Sequence, residues 1–279
     1  MNGFAEAISG IAAAANENSR AVPGDYVYDG LLHCGKCGTP KQCAVELFGK
    51  RQTVSCLCRC GAEELRRDEQ RFRDEEERQR IARLRTSGIQ DNDLRACSFE
   101  HGDKTPVLMK AKRYADKWDD MLKENIGLLL WGNTGNGKTY AAAAIANALI
   151  DRGIPALVTS FPKILSAVTG LFAGERAEYI DSLANYKLLV IDDLGAERQS
   201  EFALEIVYSV IDARYKSGLP LIITTNLSVQ ELRGCTDMQY RRIYDRVLEM
   251  CVPLNVTGES RRKAAAENKR QKAIELFVG

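Results

Sequence analysis

The sequence predicts an α/β protein whose parallel sheet carries a ligand site at the carboxyl ends of its strands. From Ile126 onward, apolar segments of strand length alternate with helical segments. A glycine-rich loop follows the first of these strands, and two acidic residues end the third. Aliphatic runs of this kind, buried on both faces, are typical of parallel strands connected by helices. We therefore expect a doubly covered parallel sheet, preceded by a smaller module.

Composition indicates a soluble globular protein of one large or two unequal domains, with 279 residues, 45% hydrophobic and 28% charged. The formal net charge is +1, so any nucleic-acid-binding surface must be local. No apolar run reaches the roughly 18 residues of a membrane-spanning helix. The first 22 residues contain Glu6 and Glu17 and no basic start, unlike a secretory signal. We expect a cytoplasmic chain whose nine cysteines are reduced or bind metal.

The glycine-rich loop has the composition of a phosphate-binding P-loop. It follows the predicted strand Ile126–Trp131 and precedes the alanine-rich helical segment Tyr140–Ile150. Glycines let backbone N–H groups surround phosphates, and the helix N-terminus adds a favourable dipole. Lys138 would neutralise the β- and γ-phosphates, and Thr139 would offer its hydroxyl to Mg²⁺. The predicted ATP- or GTP-binding residues are Gly132, Asn133, Thr134, Gly135, Asn136, Gly137, Lys138 and Thr139.

Two further strands end in polar residues suited to nucleotide hydrolysis. The run Lys187–Asp193 ends in Asp192, which would hold the Mg²⁺ hydration shell, and Asp193, which would orient or deprotonate the attacking water. The run Leu219–Asn226 ends in Asn226, at the same edge of a parallel sheet. Its amide is expected to contact the γ-phosphate or the water. A fifth strand is predicted at Cys251–Val256.

A second group of candidate ligands lies near the N-terminus, where two cysteine clusters stand about 20 residues apart. Between them lie two short β segments predicted to pair as a hairpin turning at Gly49 and Lys50, namely Ala44–Phe48 and Arg51–Ser55. Four thiolates can hold Zn²⁺ tetrahedrally and replace the core that so short a module lacks. The predicted zinc ligands are Cys34, Cys37, Cys58 and Cys60, with Cys56 as the alternative fourth ligand.

These observations divide the chain into four parts. They are an N-terminal tail (1–30), a zinc-binding module (31–61), a charged helical linker and loop (62–103), and a nucleotide-binding domain (104–279). The linker contains acid-first i,i+4 pairs such as Glu63 with Arg67, so it is predicted to be a solvated helix, followed by a loop from Thr86. A further helix is predicted over Pro106–Glu124.

Five segments in this order resemble the DnaC/DnaI helicase-loader family of AAA+ ATPases, particularly phage-borne members with N-terminal cysteines. The segments are Gly132–Thr139, Leu188–Asp193, Thr224–Asn226, Tyr240–Arg246 and Gly258–Arg262. The resemblance covers about residues 30 to 265, and the order of the motifs makes it more specific than a P-loop alone. It implies a P-loop sheet of five parallel strands. It also implies Asn226 as sensor 1, Arg246 as a trans-acting arginine finger and Arg262 (or Arg261) as sensor 2.

The resemblance implies an ATP-dependent replication protein that loads or remodels a DnaB-type hexameric helicase on single-stranded DNA. ATP hydrolysis would be the switch, and the ATP-bound chain would form a homo-oligomer. Asp193 stands where many AAA+ proteins have Glu, which is compatible with a slow ATPase. Basic residues near the C-terminus are candidates for DNA phosphate contacts, although a solvated helix explains them equally well: Arg261, Arg262, Lys263, Lys269, Arg270 and Lys272.

Two other functions remain open at this point. An IstB-type transposition helper ATPase shares the core motifs. A nucleotide-gated adaptor with negligible hydrolysis would use the same site only for binding. A metabolic P-loop kinase is disfavoured, because the sequence has no evident acceptor-substrate motif and Asn226 and Arg246 would be unexplained.

Overall fold

The computed structural model describes residues 21–47, 50–102, 105–196, 200–258 and 261–278, with the backbone alone at positions 47, 50, 261–268 and 278. Most of the predicted N-terminal tail thus lies outside the described residues. The chain divides into two compact units, 1–78 and 79–279. None of the helices in the described ranges is long and apolar enough to cross a membrane.

The first unit contains two antiparallel hairpins and the start of a long helix. Strands β1 (Tyr26–Tyr28) and β2 (Leu31–His33) form the first hairpin, which begins inside the predicted tail. The second hairpin is the one predicted from the sequence, and it consists of β3 (Gln42–Leu47) and β4 (Lys50–Ser55). Lys50 belongs to strand β4 and not to the predicted turn, and positions 48 and 49 lie outside the described residues. Helix α1 spans Arg59–Gly88 and therefore contains the division between the units.

The second unit is built on a five-stranded sheet whose neighbouring strands are all parallel, which confirms the predicted fold class. Its strands are β5 (Gly127–Trp131), β6 (Ala156–Ser160), β7 (Leu188–Leu194), β8 (Leu221–Thr225) and β9 (Cys251–Asn255). Their spatial order is β6-β7-β8-β5-β9. Strand β8 therefore lies between β5, which leads into the glycine-rich loop, and β7, which carries the acidic pair.

Helices cover both faces of the sheet. The described helices after α1 are α2 (Asn92–Arg95), α3 (Pro106–Asp116), α4 (Trp118–Lys123), α5 (Lys138–Asp151), α6 (Phe161–Val168), α7 (Ala173–Ala184), α8 (Glu201–Ser217), α9 (Val229–Arg233), α10 (Met238–Met250) and α11 (Arg261–Val278). Because side chains alternate along a strand, Leu128 and Leu130 pack with α3 and α5. Leu129 packs on the opposite face with α6, α7, α8 and α10.

The segment before this sheet is more helical than we predicted. Helix α1 continues past Thr86 to Gly88, because Ile81 and Leu84 pack against the core and Arg85 forms an ion pair with Asp151. The single helix predicted over Pro106–Glu124 is instead the two helices α3 and α4, which meet at Lys117.

A buried arginine stabilises the amino-terminal side of the sheet. Arg214 on α8 is fully buried, and its guanidinium group donates hydrogen bonds to four backbone carbonyls, those of Ala184 (3.2 Å), Tyr186 (2.7 Å), Lys187 (3.0 Å) and Pro220 (2.5 Å). Burial lowers the pKa of Arg214 to about 10, so the group is still charged at neutral pH. It thereby satisfies carbonyls that precede β7 and β8.

Candidate nucleotide and metal sites

The glycine-rich loop between β5 and α5 is held against the end of β9. Gly132 adopts a φ of 143°, and a Cβ there would lie 2.4 Å from the carbonyl oxygen of Val256. Gly137, which precedes the first turn of α5, has a φ of 88°. The side-chain amide of Asn136 donates to the same Val256 oxygen over 3.1 Å. Gly132 has no room for a side chain, and the positive φ of both residues favours glycine, so the loop shape depends on both.

Lys138 opens α5, and its side chain is almost fully buried. Its ammonium group donates to the carbonyl oxygens of Gly132 (2.8 Å) and Asn133 (2.9 Å) and to Oδ1 of Asn226 (2.8 Å). The Thr134 hydroxyl lies 3.5 Å from the same Asn226 oxygen. The lysine therefore links the loop after β5 to the end of β8, as the strand order allows.

Beside the lysine, the acidic pair at the end of β7 faces the start of α5. The Thr139 hydroxyl donates to Oδ1 of Asp192 over 2.8 Å. A hydroxyl and a carboxylate in contact are the hard oxygen ligands that suit Mg²⁺ and its hydration shell, so these residues fit that ion. Asp193 has a left-handed φ of 55° and lines a cavity in front of the loop.

This cavity has a volume of about 210 Å³. It is lined by residues of the loop, of the start of α5 and of the ends of β7 and β8, namely Thr134, Gly135, Gly137, Lys138, Thr139, Tyr140, Asp193 and Asn226. The structure thus brings together residues from three sequence segments that we predicted separately. An ammonium group, a helix N-terminus and backbone N–H groups around one cavity are suited to binding a polyphosphate.

Sequence reasoning missed two residues at this site. Thr224 is fully buried on β8, and its hydroxyl donates to Oδ1 of Asp192 over 2.6 Å. Tyr140 lines the cavity, and its hydroxyl donates to the carbonyl oxygen of Ser98 over 2.8 Å, which fixes the segment before α3 against α5. The two hydroxyl residues that end the apolar β8 run, Thr224 and Thr225, were the signal for Thr224. Tyr140 had no such signal, because its partner lies 42 positions away.

Arg246, the predicted arginine finger, is not among the described residues that line the cavity of its own chain. Arg246 on α10 forms an ion pair with Asp212 of α8 over 2.5 Å, and its guanidinium group lies over the rings of Tyr208 and Tyr215. The side chain of Arg262, like that of its alternative Arg261, lies outside the described residues.

In the first unit, four cysteines converge on one point. The Sγ atoms of Cys34, Cys37, Cys58 and Cys60 all lie within 4.8 Å of one another. The Cys34–Cys60 and Cys58–Cys60 sulfur distances are 3.5 and 3.3 Å. Tetrahedral thiolates at about 2.3 Å from Zn²⁺ would lie about 3.8 Å apart, so the cluster fits this ion. It contains the four residues that we preferred from the sequence.

The clustered cysteines differ from Cys56 in the groups that surround their sulfur atoms. The Thr39 hydroxyl lies 3.1 Å from Cys37 and lowers the pKa of that thiol to about 5. Hydrogen bonding to Cys58 raises the pKa of the Cys60 thiol to about 12. The alternative ligand Cys56 is not part of the cluster, and its Sγ instead lies 3.7 Å from the carbonyl oxygen of Pro40.

Known proteins with similar sequences include ATP-binding proteins, as the geometry of the site suggests. Residues 59–271 match the family described as IstB-like ATP binding protein. The chain is 31% identical to the replicative helicase loader DnaC of Escherichia coli strain K12 over 160 residues, 54% of this chain and 62% of that protein. It is 30% identical to the replicative helicase loader DnaC of Buchnera aphidicola subsp. Schizaphis graminum over 174 residues, 59% of this chain and 68% of the relative.

A solved structure extends the likeness to the fold. The crystal structure of DnaI superimposes with a TM-score of 0.53 and 26% identity, covering 64% of this chain and 99% of that chain. The predicted resemblance to the DnaC/DnaI proteins is therefore confirmed, although the chain spans less than two thirds of the length of the Escherichia coli relative. Since the family match covers most of the chain and includes the whole nucleotide site, this protein belongs to the family of IstB-like ATP-binding proteins.

Proposed function

We propose that this protein is an ATPase that loads or remodels a hexameric replicative helicase on single-stranded DNA. The observation that carries the ATPase part is the contact of Lys138 with Asn226, beside the contact of Thr139 with Asp192. They support the proposal because Lys138 and Asn226 lie beside a hydroxyl–carboxylate pair at one edge of the sheet. The nucleotide-binding domain of this proposal is 104–279.

Each residue has a distinct role in hydrolysis. Lys138 and the loop N–H groups bind the β- and γ-phosphates. Thr139 and Asp192 would hold Mg²⁺, which would supply positive charge to neutralise the phosphates. Asp193 orients or deprotonates the attacking water. Asn226 contacts the γ-phosphate or that water once Lys138 has turned toward the phosphates. Asp193 has a shorter side chain than the Glu common in AAA+ proteins, so we expect slow basal turnover.

The site is completed by a neighbouring subunit. Arg246 reaches the nucleotide of an adjacent copy in the ATP-bound homo-oligomer, and Arg262 acts as sensor 2. An arginine supplied across a subunit boundary stabilises charge in the transition state and makes hydrolysis depend on assembly. In the isolated chain Arg246 is held by Asp212. Assembly must therefore release it.

The helicase-loading part of the proposal is supported by the two relatives described above, both of which are named replicative helicase loaders. In this protein the zinc-binding module (31–61) engages the helicase, through a fold held by Zn²⁺ on its four clustered cysteines. The ATPase domain binds single-stranded DNA. The difference in partner affinity between the ATP and ADP states supplies the switch.

Capture by the tagged full-length protein tests the choice of partner. With ATP and Mg²⁺ present, we expect stable capture of a purified DnaB-type hexamer and protection of single-stranded DNA. A variant with Cys37→Ser should lose helicase capture while still binding ATP. If the wild-type protein captures a transposase and no helicase, the loader proposal is wrong.

The second candidate is an IstB-type transposition helper, which the name of the matching family favours. Capture of a transposase by the full-length protein would support it.

The rate of ATP hydrolysis distinguishes an ATPase from a nucleotide-gated adaptor, which would bind ATP with negligible hydrolysis. If the wild-type protein, with DNA and helicase present, hydrolyses ATP no faster than its Lys138→Ala variant, the ATPase proposal fails.

A further inference from the structure

Strand β7 contains an irregularity at its acidic pair, and Thr224 of β8 lies opposite to it. The register with β8 is regular up to Ile191 and shifts before it resumes at Leu194. As a result, Asp192 and Asp193 together oppose Thr224 alone. An extra residue of this kind is a β-bulge, which redirects side chains and is frequent next to active sites.

The Thr224 hydroxyl bonds to both residues of the bulge. It donates to Oδ1 of Asp192 over 2.6 Å and accepts the backbone N–H of Asp193 over 2.9 Å. Thr224 is fully buried, so water cannot replace either bond. The second bond holds a residue with a left-handed φ of 55°, a conformation that costs energy for any residue with a side chain.

We propose that Thr224 is a positioning residue of the nucleotide site, whose hydroxyl sets the orientation of both acidic side chains. This inference rests on the proposed function and adds to it a residue that acts through Asp192 and Asp193. Thr224 lines neither the cavity nor the loop, so it affects the reaction only through the bulge.

The contacts of Asp192 indicate how the positioning works. Its Oδ1 accepts hydrogen bonds from two hydroxyls, Thr139 at 2.8 Å and Thr224 at 2.6 Å. Two donors at one oxygen prevent the carboxylate from rotating and satisfy that oxygen within the protein. Among the described residues, none donates to Oδ2. This oxygen is therefore available to the hydration shell of Mg²⁺.

Removal of the Thr224 hydroxyl has two consequences. Asp192 keeps only the Thr139 bond and is free to rotate away from the Mg²⁺ position. The N–H of Asp193 loses the Thr224 hydroxyl as its acceptor, so the left-handed conformation loses this anchor. Both changes weaken Mg²⁺ binding and water activation. The substitution leaves in place the lysine and the loop groups that hold the phosphates.

Three variants separate positioning from a general effect on stability. Thr224→Val keeps the shape and removes the hydroxyl, whereas Thr224→Ser keeps the hydroxyl and removes the methyl group. The control is Thr225→Val in the same strand. The Thr225 hydroxyl is also buried and bonds only to backbone, donating to Leu194 over 2.8 Å and accepting from Leu227 over 3.1 Å.

The measurements are the Mg²⁺ concentration for half-maximal binding of a fluorescent ATP analogue, the kcat and KM of ATP hydrolysis, and the melting temperature. For Thr224→Val we expect the half-saturating Mg²⁺ concentration to rise about tenfold and kcat to fall about tenfold, with KM at saturating Mg²⁺ unchanged. Thr224→Ser should restore both values to within about twofold. Thr225→Val should lower the melting temperature comparably without changing the Mg²⁺ dependence.

The inference is overturned if Thr224→Val has the Mg²⁺ dependence of wild type, or if Thr225→Val shifts it equally. A different result would show that the proposed function itself is wrong. In that case the wild-type protein itself shows no Mg²⁺-dependent binding of the analogue and no turnover.

Discussion

The ammonium group of Lys138 lies 2.8 Å from the side-chain oxygen of Asn226, although the two residues are 88 positions apart. The ammonium group also donates to two carbonyl oxygens of the glycine-rich loop. A phosphate that enters the cavity must compete with these three neutral acceptors. Each attracts the ammonium group less than a phosphate oxygen does, because the phosphate oxygen carries a negative charge and adds a Coulomb attraction. These three hydrogen bonds hold the lysine in place, and a phosphate oxygen can displace them.

Substitution of Asn226 tests this competition. Asn226→Asp places a carboxylate beside the ammonium group, where it pairs with Lys138 and repels the phosphates. We expect ATP affinity to fall about tenfold. Asn226→Ala should keep ATP affinity within about twofold but lower turnover about 100-fold. Fluorescence titration and turnover at saturating ATP measure the two effects, and equal affinities for the two variants would contradict the competition.

The left-handed backbone at Asp193 makes this position selective for short side chains. Asp and Asn adopt this conformation more readily than Glu. Asp193→Asn should therefore retain the melting temperature and ATP binding, while turnover at saturating ATP falls about 100-fold. Asp193→Glu should lower the free energy of unfolding by about 1 kcal/mol. A Glu variant as stable as wild type would show that this backbone carries no strain.

Arg246 has a partner in its own chain, which provides a matched control for its role between subunits. Arg246→Ala and Asp212→Ala both remove the same ion pair. We expect only Arg246→Ala to lose assembly-stimulated hydrolysis, by about 1000-fold, with ATP binding retained in both. Turnover with and without helicase and DNA measures this. Unchanged stimulation in Arg246→Ala would transfer the role to Arg242, one turn earlier on α10.

The cysteine cluster predicts the metal content of the protein. Purified full-length protein should contain about one zinc per chain by elemental analysis. Cys37→Ser should lose this metal, because it removes one of the four converging thiolates. Cys56→Ser should retain it, because Cys56 lies outside the cluster. Wild-type protein without metal would remove the zinc-binding module from the proposal.

Arg214 is predicted to contribute to the stability of the fold and not to ATP hydrolysis. Arg214→Met should lower the free energy of unfolding by about 3 kcal/mol, because it leaves four backbone carbonyls without their donor. Arg241→Met, at an exposed position of α10, should change it by less than about 0.5 kcal/mol. Chemical denaturation measures both. An equally small effect at Arg214 would mean that water replaces the guanidinium group.

Features that depend on neighbouring residues in the chain could be predicted well. The glycine-rich loop, the alanine-rich helix after it and the apolar strands are short-range patterns, and the structure has all of them. The segment after Thr86 was predicted less well. Its helix is extended by packing of Ile81 and Leu84 and by the Arg85–Asp151 pair, which joins positions far apart in sequence.

The sequence alone determined the glycine-rich loop with Lys138 and the acidic pair at a strand end, because spacing and composition specify such motifs locally. Only the tertiary structure decided that β8 inserts between β5 and β7, which brings Asn226 to Lys138 and Thr224 to Asp192. It also decided that Arg246 pairs with Asp212. Strand order and register arise from long-range packing of two helical layers on one sheet, and no local pattern encodes them.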